Sequence, residues 1–346
     1  PSQLAGVAEL NNNTEQVFVC SGRPKVEVDV TRGSLFVRGW DGAEVRIEDD
    51  SACKIRHRGD TVRIESSRSC ALRLYLPRAS DLFIDGTSLE IDLGGIRGFT
   101  SIDVTNSPVR IEDWQGDIEI DGTDCPVRLF QCNGQAGIDT AGGAVEILSS
   151  QGSFNIDTGS GSVAVQDSAG SLAVDTGGGG VDLAQFRGPV HIDTGSGSVE
   201  LRGVSSRNVY VDCGRGNIAA VLPGASPGQW QLETGSGTVT LQVPANISAS
   251  FEFEAPELEV DDLALEGAGL EEGRITGRLN DGQGRVSVFS STGRIIGRKI
   301  PIAFTLDTEP DQDECLKILI MLEEGTISTA EAEQLLDALK GGDEDE

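Results

Sequence analysis

Aspartate recurs with an 18-residue period through the middle of this chain, at Asp85, Asp103, Asp121, Asp139, Asp157, Asp175 and Asp193. Asp212 and Glu233 continue the series after slightly longer steps. Self-similarity at a fixed period marks a repeat architecture, in which each unit buries its apolar side on its neighbours. Written in rows of 18 from Phe99, the segment aligns IDVTNSPV, IDGTDCPV, IDTAGGAV, IDTGSGSV, VDTGGGGV and IDTGSGSV. The fourth column is Ile102, Ile120, Ile138, Ile156, Val174 and Ile192. The eleventh is valine in all six rows, from Val109 to Val199.

Apolar residues alternate with polar ones in two short runs per row, and β-branched types dominate. Each run therefore reads as a half-buried strand. Between the runs lies TGSGS or a variant, and rows close on Gly98, Gly116, Gly134, Gly152, Gly170 and Gly188. Those glycines mark corners where the backbone needs φ > 0 or a tight bend. If each row is one coil, equivalent columns stack at the inter-strand distance of ~4.8 Å. The expected fold is all-β: a right-handed parallel β-helix, or solenoid, of 18-residue coils. No 3.6-residue period appears in these rows, which excludes a helical solenoid.

Weaker alternation runs outward through 26–30, 34–39, 43–48, 61–66 and 72–77, and again through 230–243, 248–255 and 285–297. The domain reading follows from these limits. Residues 1–14 form an N-terminal extension and 15–303 the solenoid, with regular coils over 81–206 and irregular caps on either side. Residues 304–314 are an acidic linker, 315–340 a helical hairpin and 341–346 an acidic tail.

The formal charge is −29. It argues against nucleic acid or anionic lipid as a partner. Seven cysteines occur without a C-x-x-C pair or a zinc-ligand spacing, so reduced thiols are expected. Pro1 to Leu10 carries no basic or apolar leader pattern, and no apolar run approaches the ~20 residues of a membrane span. The expectation is a cytoplasmic chain without a direct membrane span, with cell-surface association as the alternative.

The stacked Asp column would repel itself unless something relieves it. One account is an Asx-turn, each Asp accepting from the N–H two residues on. The other is Ca²⁺ bridging, for which Asp139, Asp157, Asp175 and Asp193 are the candidate ladder. A single carboxylate column supplies fewer oxygens than the six to eight Ca²⁺ takes. Thr140, Thr158, Thr176 and Thr194 form a hydroxyl ladder beside it. The only histidines are His57 and His191, and His191 reads as a lone surface side chain. No Ser-His-Asp, H-E-x-x-H or P-loop pattern is present, so no catalytic residue and no cofactor is expected. Trp40, Trp114 and Trp230 are too scattered to form a sugar-stacking platform together, and each reads as packing.

After Ile302 the period changes. Cys315, Ile318, Leu319 and Leu322 fall at i, i+3, i+4, i+7, and so do Ala332, Leu335, Leu336 and Leu339. Gly325 is a C-cap candidate between the two runs, and Ser328 with Glu331 makes a capping box. Two such helices cannot bury a core alone. Their apolar stripes, centred on Ile318, Leu319, Leu322, Leu335, Leu336 and Leu339, need a partner protein or a second copy.

The IDTGSGSV and VDTGGGGV coils, with GSLFVRGWDGAEVRIE, LRLYLPRAS and VSVFSSTGRIIG, resemble the bacterial putative-adhesin β-solenoid domain of unknown function, over about residues 15–297. The segment LKILIMLEEGTISTAEAEQLLDAL is similar to SHOCT-like helical hairpins found with that domain. In those relatives the hairpin comes first, whereas here it is last. The resemblance implies no catalytic residues. The leading functional expectation is a non-enzymatic scaffold that self-associates or docks a protein through its hairpin. A surface adhesin or glycan-binding module is the alternative, and a polysaccharide-active β-helix enzyme the further one.

Overall fold

The computed structural model describes residues 14–49, 53–224 and 227–301. The hairpin expected at 315–340, including Ile318, Leu319, Leu322, Leu335, Leu336 and Leu339, lies outside the described residues. Within them every regular element is a strand except one turn of 3-10 helix, Asp261–Leu263.

Parallel pairing carries the middle of the chain. Ile120 faces Ile138, which faces Ile156, and the column continues through Val174, Ile192, Val211 and Leu232. The second column runs Val109, Val127, Val145, Val163, Val181, Val199, Ile218 and Val239 in the same way. Partners keep the 18-residue step as far as Ile192 and Val199, and the two coils that follow are slightly longer. All these side chains are at most 2% exposed. Burying each contributes about 1.5–3 kcal/mol of transfer free energy.

The corners use different chemistry from that expected. Alternation places the threonine after each Asp inward, and Thr140, Thr158, Thr176 and Thr194 are buried. Thr158, Thr176 and Thr194 Oγ1 each accept from the N–H of the glycine three residues on, Gly161, Gly179 and Gly197, at 2.9 Å. Threonine, not an Asx-turn from the exposed Asp, holds this corner. Where the column changes residue, Cys213 fills the place between Thr194 and Thr234. The other corner turns on Asp113, Gln131, Ser149, Asp167 and Gln185, with φ between 48° and 54°. These polar side chains tolerate the left-handed region, and no glycine announces them in the sequence. Glycine is required three residues later: Gly152 has φ 150°, and a Cβ there would lie 1.7 Å from the Gly134 carbonyl oxygen.

Both ends depart from chain order. Lys25–Trp40 lies between Thr61–Pro77 and Asp81–Gly86, parallel to both. Gly284–Ser290 pairs directly with Gln229–Thr234, and Ala249–Glu254 lies beyond it. On the first sheet, the face built on the Ile120 column, the outermost strands are antiparallel, whereas Glu257–Glu259 ends the other face parallel to Arg294–Ile300. Lys54–Arg58 closes one edge of the first sheet, and Arg274–Leu279 followed by Glu266–Glu271 closes the other. Charged side chains on short edge strands suppress pairing with other chains.

Candidate functional site

Outward residues of the first sheet are set by the same register that buries Ile120 and Ile138. One outward column is carboxylate on eleven successive strands: Glu65, Asp29, Asp85, Asp103, Asp121, Asp139, Asp157, Asp175, Asp193, Asp212 and Glu233. Sequence spacing found nine of these; Asp29 and Glu65 join only because Lys25–Trp40 is placed out of chain order. Glu65 is paired with Arg56 and Arg63, each at 2.9 Å. From Asp85 to Asp212 no ion pair touches the column among the described residues.

Burial and repulsion raise three carboxyls of this column. Burial, then the neighbouring Asp29 and Asp103, raises the Asp85 carboxyl above its ordinary value. Asp157 is raised by burial and by Asp139 and Asp175, and Asp212 by burial and by Asp193 and Glu233. The candidate Ca²⁺ ladder, Asp139, Asp157, Asp175 and Asp193, occupies four consecutive rungs. Among the described residues, no group of three or more His, Cys, Asp or Glu could hold a metal ion.

The run of carboxylates is interrupted at Phe289, which takes the rung between Glu233 and Glu254 and is 37% exposed. Here the face opens into a groove of about 1230 Å³. The adjacent outward column runs Asn155, Ala173, His191, Tyr210, Gln231, Ser287 and Glu252. His191 is not a lone surface histidine: its ring stacks on Tyr210, with centroids 4.8 Å apart and planes 12° off parallel. Hydrogen bonds from Arg274 at 2.6 Å and Arg285 at 3.1 Å hold Glu252 below the usual carboxylate range. Glu252 therefore stays ionised and is unsuited to donate a proton.

The tryptophans line no sugar platform. Trp114 and Trp230 are buried, their Nε1 groups donating to the carbonyls of Gly98 at 3.2 Å and Pro227 at 2.8 Å. Trp40 lies under the Arg46 guanidinium, 4.2 Å from the ring. Buried thiols are equally withdrawn from chemistry: burial pushes Cys125 and Cys132 up to about 11 and Cys213 up to about 12.

A family model described as Toastrack DUF4097 matches residues 25–296. The chain belongs to the Toastrack family. The Toastrack match encloses the whole carboxylate column and the groove rungs up to Phe289. A SHOCT-like domain model matches residues 313–344. No curated protein matches the chain. Among solved structures, a putative cell adhesion protein from Clostridium sporogenes is 10% identical, covering 84% of this chain and 100% of that one, with a TM-score of 0.22. A putative adhesin from Bacteroides fragilis is 10% identical over 83% and 97%, with a TM-score of 0.23. Another, from Parabacteroides merdae, is 9% identical over 84% and 95%, with a TM-score of 0.29. Scores this low carry no argument about this chain.

Proposed function

We propose that this Toastrack chain is a non-enzymatic interaction scaffold, whose stacked strands present a fixed acidic face and whose C-terminal segment joins copies of the chain. The observation that carries the reading is the unbroken outward register: eleven strands repeat one carboxylate position. A surface made by repetition offers many equivalent contacts, which suits binding over an extended area rather than chemistry at one point. The SHOCT-like match at 313–344 supports the second half, since the apolar stripes at Ile318, Leu319 and Leu322 and at Leu335, Leu336 and Leu339 need a partner to cover them. Leucine-rich stripes of this width are the ordinary seam of helix association.

Light scattering on the full chain and on a chain ending at residue 309 tests this directly. The full chain is expected to be a multimer and the shortened one a monomer. A monomer in both cases contradicts self-association. A surface-adhesin reading draws on one observation, the groove beside Phe289, and cell fractionation discriminates it, because it requires the chain outside the cytoplasm.

A further inference from the structure

The groove on the first sheet differs in kind from the rest of that face. Along most of the acid column the outward neighbours are small or charged: Ser101, Glu119 and Gly137 stand beside Asp103, Asp121 and Asp139. In the groove the same positions become His191 and Tyr210, stacked on one another, and Phe289 interrupts the acid column on one rung between Glu233 and Glu254. Exposed rings sit badly in water, and a concave site holding them beside polar groups is the usual form of a small-ligand site.

The polar groups flanking the rings are mainly neutral. The side-chain amides of Asn155, Asn208 and Gln229 line the groove and are exposed. Among the described residues these three amides, the Tyr210 hydroxyl and the His191 ring nitrogens have no hydrogen-bond partner in the protein. Amides both donate and accept, so they match hydroxyl groups of either polarity. Three carboxylates line the groove, Glu233, Glu252 and Glu254, against one arginine, Arg285, which is paired with Glu252, so the balance repels an anion. A flat apolar ring face beside unengaged amides, with anions excluded, fits a pyranose: its C–H face packs on the ring and its hydroxyls meet the amides. The groove crosses seven adjacent strands, from Gln151–Thr158 to Ala249–Glu254, so it offers several successive rungs to a chain of linked units.

We propose that this groove binds a neutral oligosaccharide, with the ring surface that the stacked Tyr210–His191 pair leaves uncovered as the apolar contact and Asn155, Asn208 and Gln229 as the hydroxyl-binding groups. The inference rests on the reading of the chain as a binding scaffold and names the ligand class of one of its faces. It does not depend on the C-terminal segment, so monomer and multimer alike should bind.

Saturation-transfer NMR and calorimetry on the full chain test it, with cellohexaose, maltohexaose and the N-acetylglucosamine hexamer as neutral probes. Hexagalacturonate and hexa-arginine serve as charged comparators. At least one neutral probe is expected to bind, weakened about tenfold or more by Tyr210→Ala through loss of the stacking contact. Tyr210→Phe, which keeps the ring, should stay within about threefold of the parent. Phe83→Ala, in the same column but outside the groove, should leave binding unchanged. Circular dichroism and the thermal transition confirm that each variant is folded. Failure of all three neutral probes overturns the proposal, as does undiminished binding by a folded Tyr210→Ala chain. Preference for hexa-arginine or hexagalacturonate over every neutral probe also overturns it. Light scattering reads self-association separately, so loss of one reading leaves the other standing.

Discussion

Thr176 shows how much of a coil depends on one side chain. Its hydroxyl is buried and accepts from the Gly179 N–H at 2.9 Å, a donor that would otherwise be unsatisfied at a corner. Thr176→Val keeps the shape and removes the acceptor, so it is expected to cost about 1–3 kcal/mol in urea unfolding, while Thr176→Ser costs less. Equal losses for the two would show that shape, not the hydrogen bond, holds the corner. Gly152→Ala should cost more, at least about 2–3 kcal/mol, because the added Cβ would sit 1.7 Å from the Gly134 oxygen. At this scale the inward side chains were legible in the sequence, since Ile138 and Thr140 share parity and so share a face. The left-handed corner at Asp113, Gln131, Ser149, Asp167 and Gln185 was not, because those residue types are equally at home on an exposed strand.

Strands of the first sheet carry their charge outward in a row, and three carboxyls of that row respond to burial and to repulsion from their neighbours. Asp85, Asp157 and Asp212 have carboxyls raised above their unfolded values, chiefly by burial and then by neighbouring acids. A raised folded value means that the contribution of these groups to stability is present below the unfolded value, ~4, and is lost as pH rises through the folded one. Asp157→Asn is therefore expected to raise the Tm at pH 7, with the advantage shrinking as pH is lowered towards ~4. Raising salt towards ~1 M shortens the screening length to ~3 Å, less than a rung, and should narrow the same gap. A lower Tm for Asp157→Asn at pH 7 would contradict the repulsion account. Glu252 acts in the opposite sense: its arginine partners depress its value, so its stabilisation is present at neutral pH and lost as pH falls through that depressed value.

Across the described part of the molecule, one parallel register determines which residues face outward together. Sequence spacing read this register through the central strands because Asp85 to Asp193 keep a constant step. It missed the ends, where Lys25–Trp40 and Gly284–Ser290 pair out of chain order. Nothing local in an alternating strand names its neighbour; partner choice is made by the sheet edge that needs covering. The groove was missed for the same reason, since Phe289 meets Tyr210's neighbours only once Gly284–Ser290 lies against Gln229–Thr234. His191 and Tyr210 were closer to legible, because they hold equivalent places in adjacent rows.

The account stands on that register, and electron–electron distance measurements test it most directly. Nitroxides attached in place of Asp121 and Asp193 span four rungs, and in place of Asp85 and Asp193 six rungs. With rungs ~4.8 Å apart, the separations should be about 19 Å and about 29 Å. A distance that grows by about 10 Å between the two pairs is the predicted result. Equal distances, or a shorter one for the six-rung pair, would contradict the stacked register and every surface built on it.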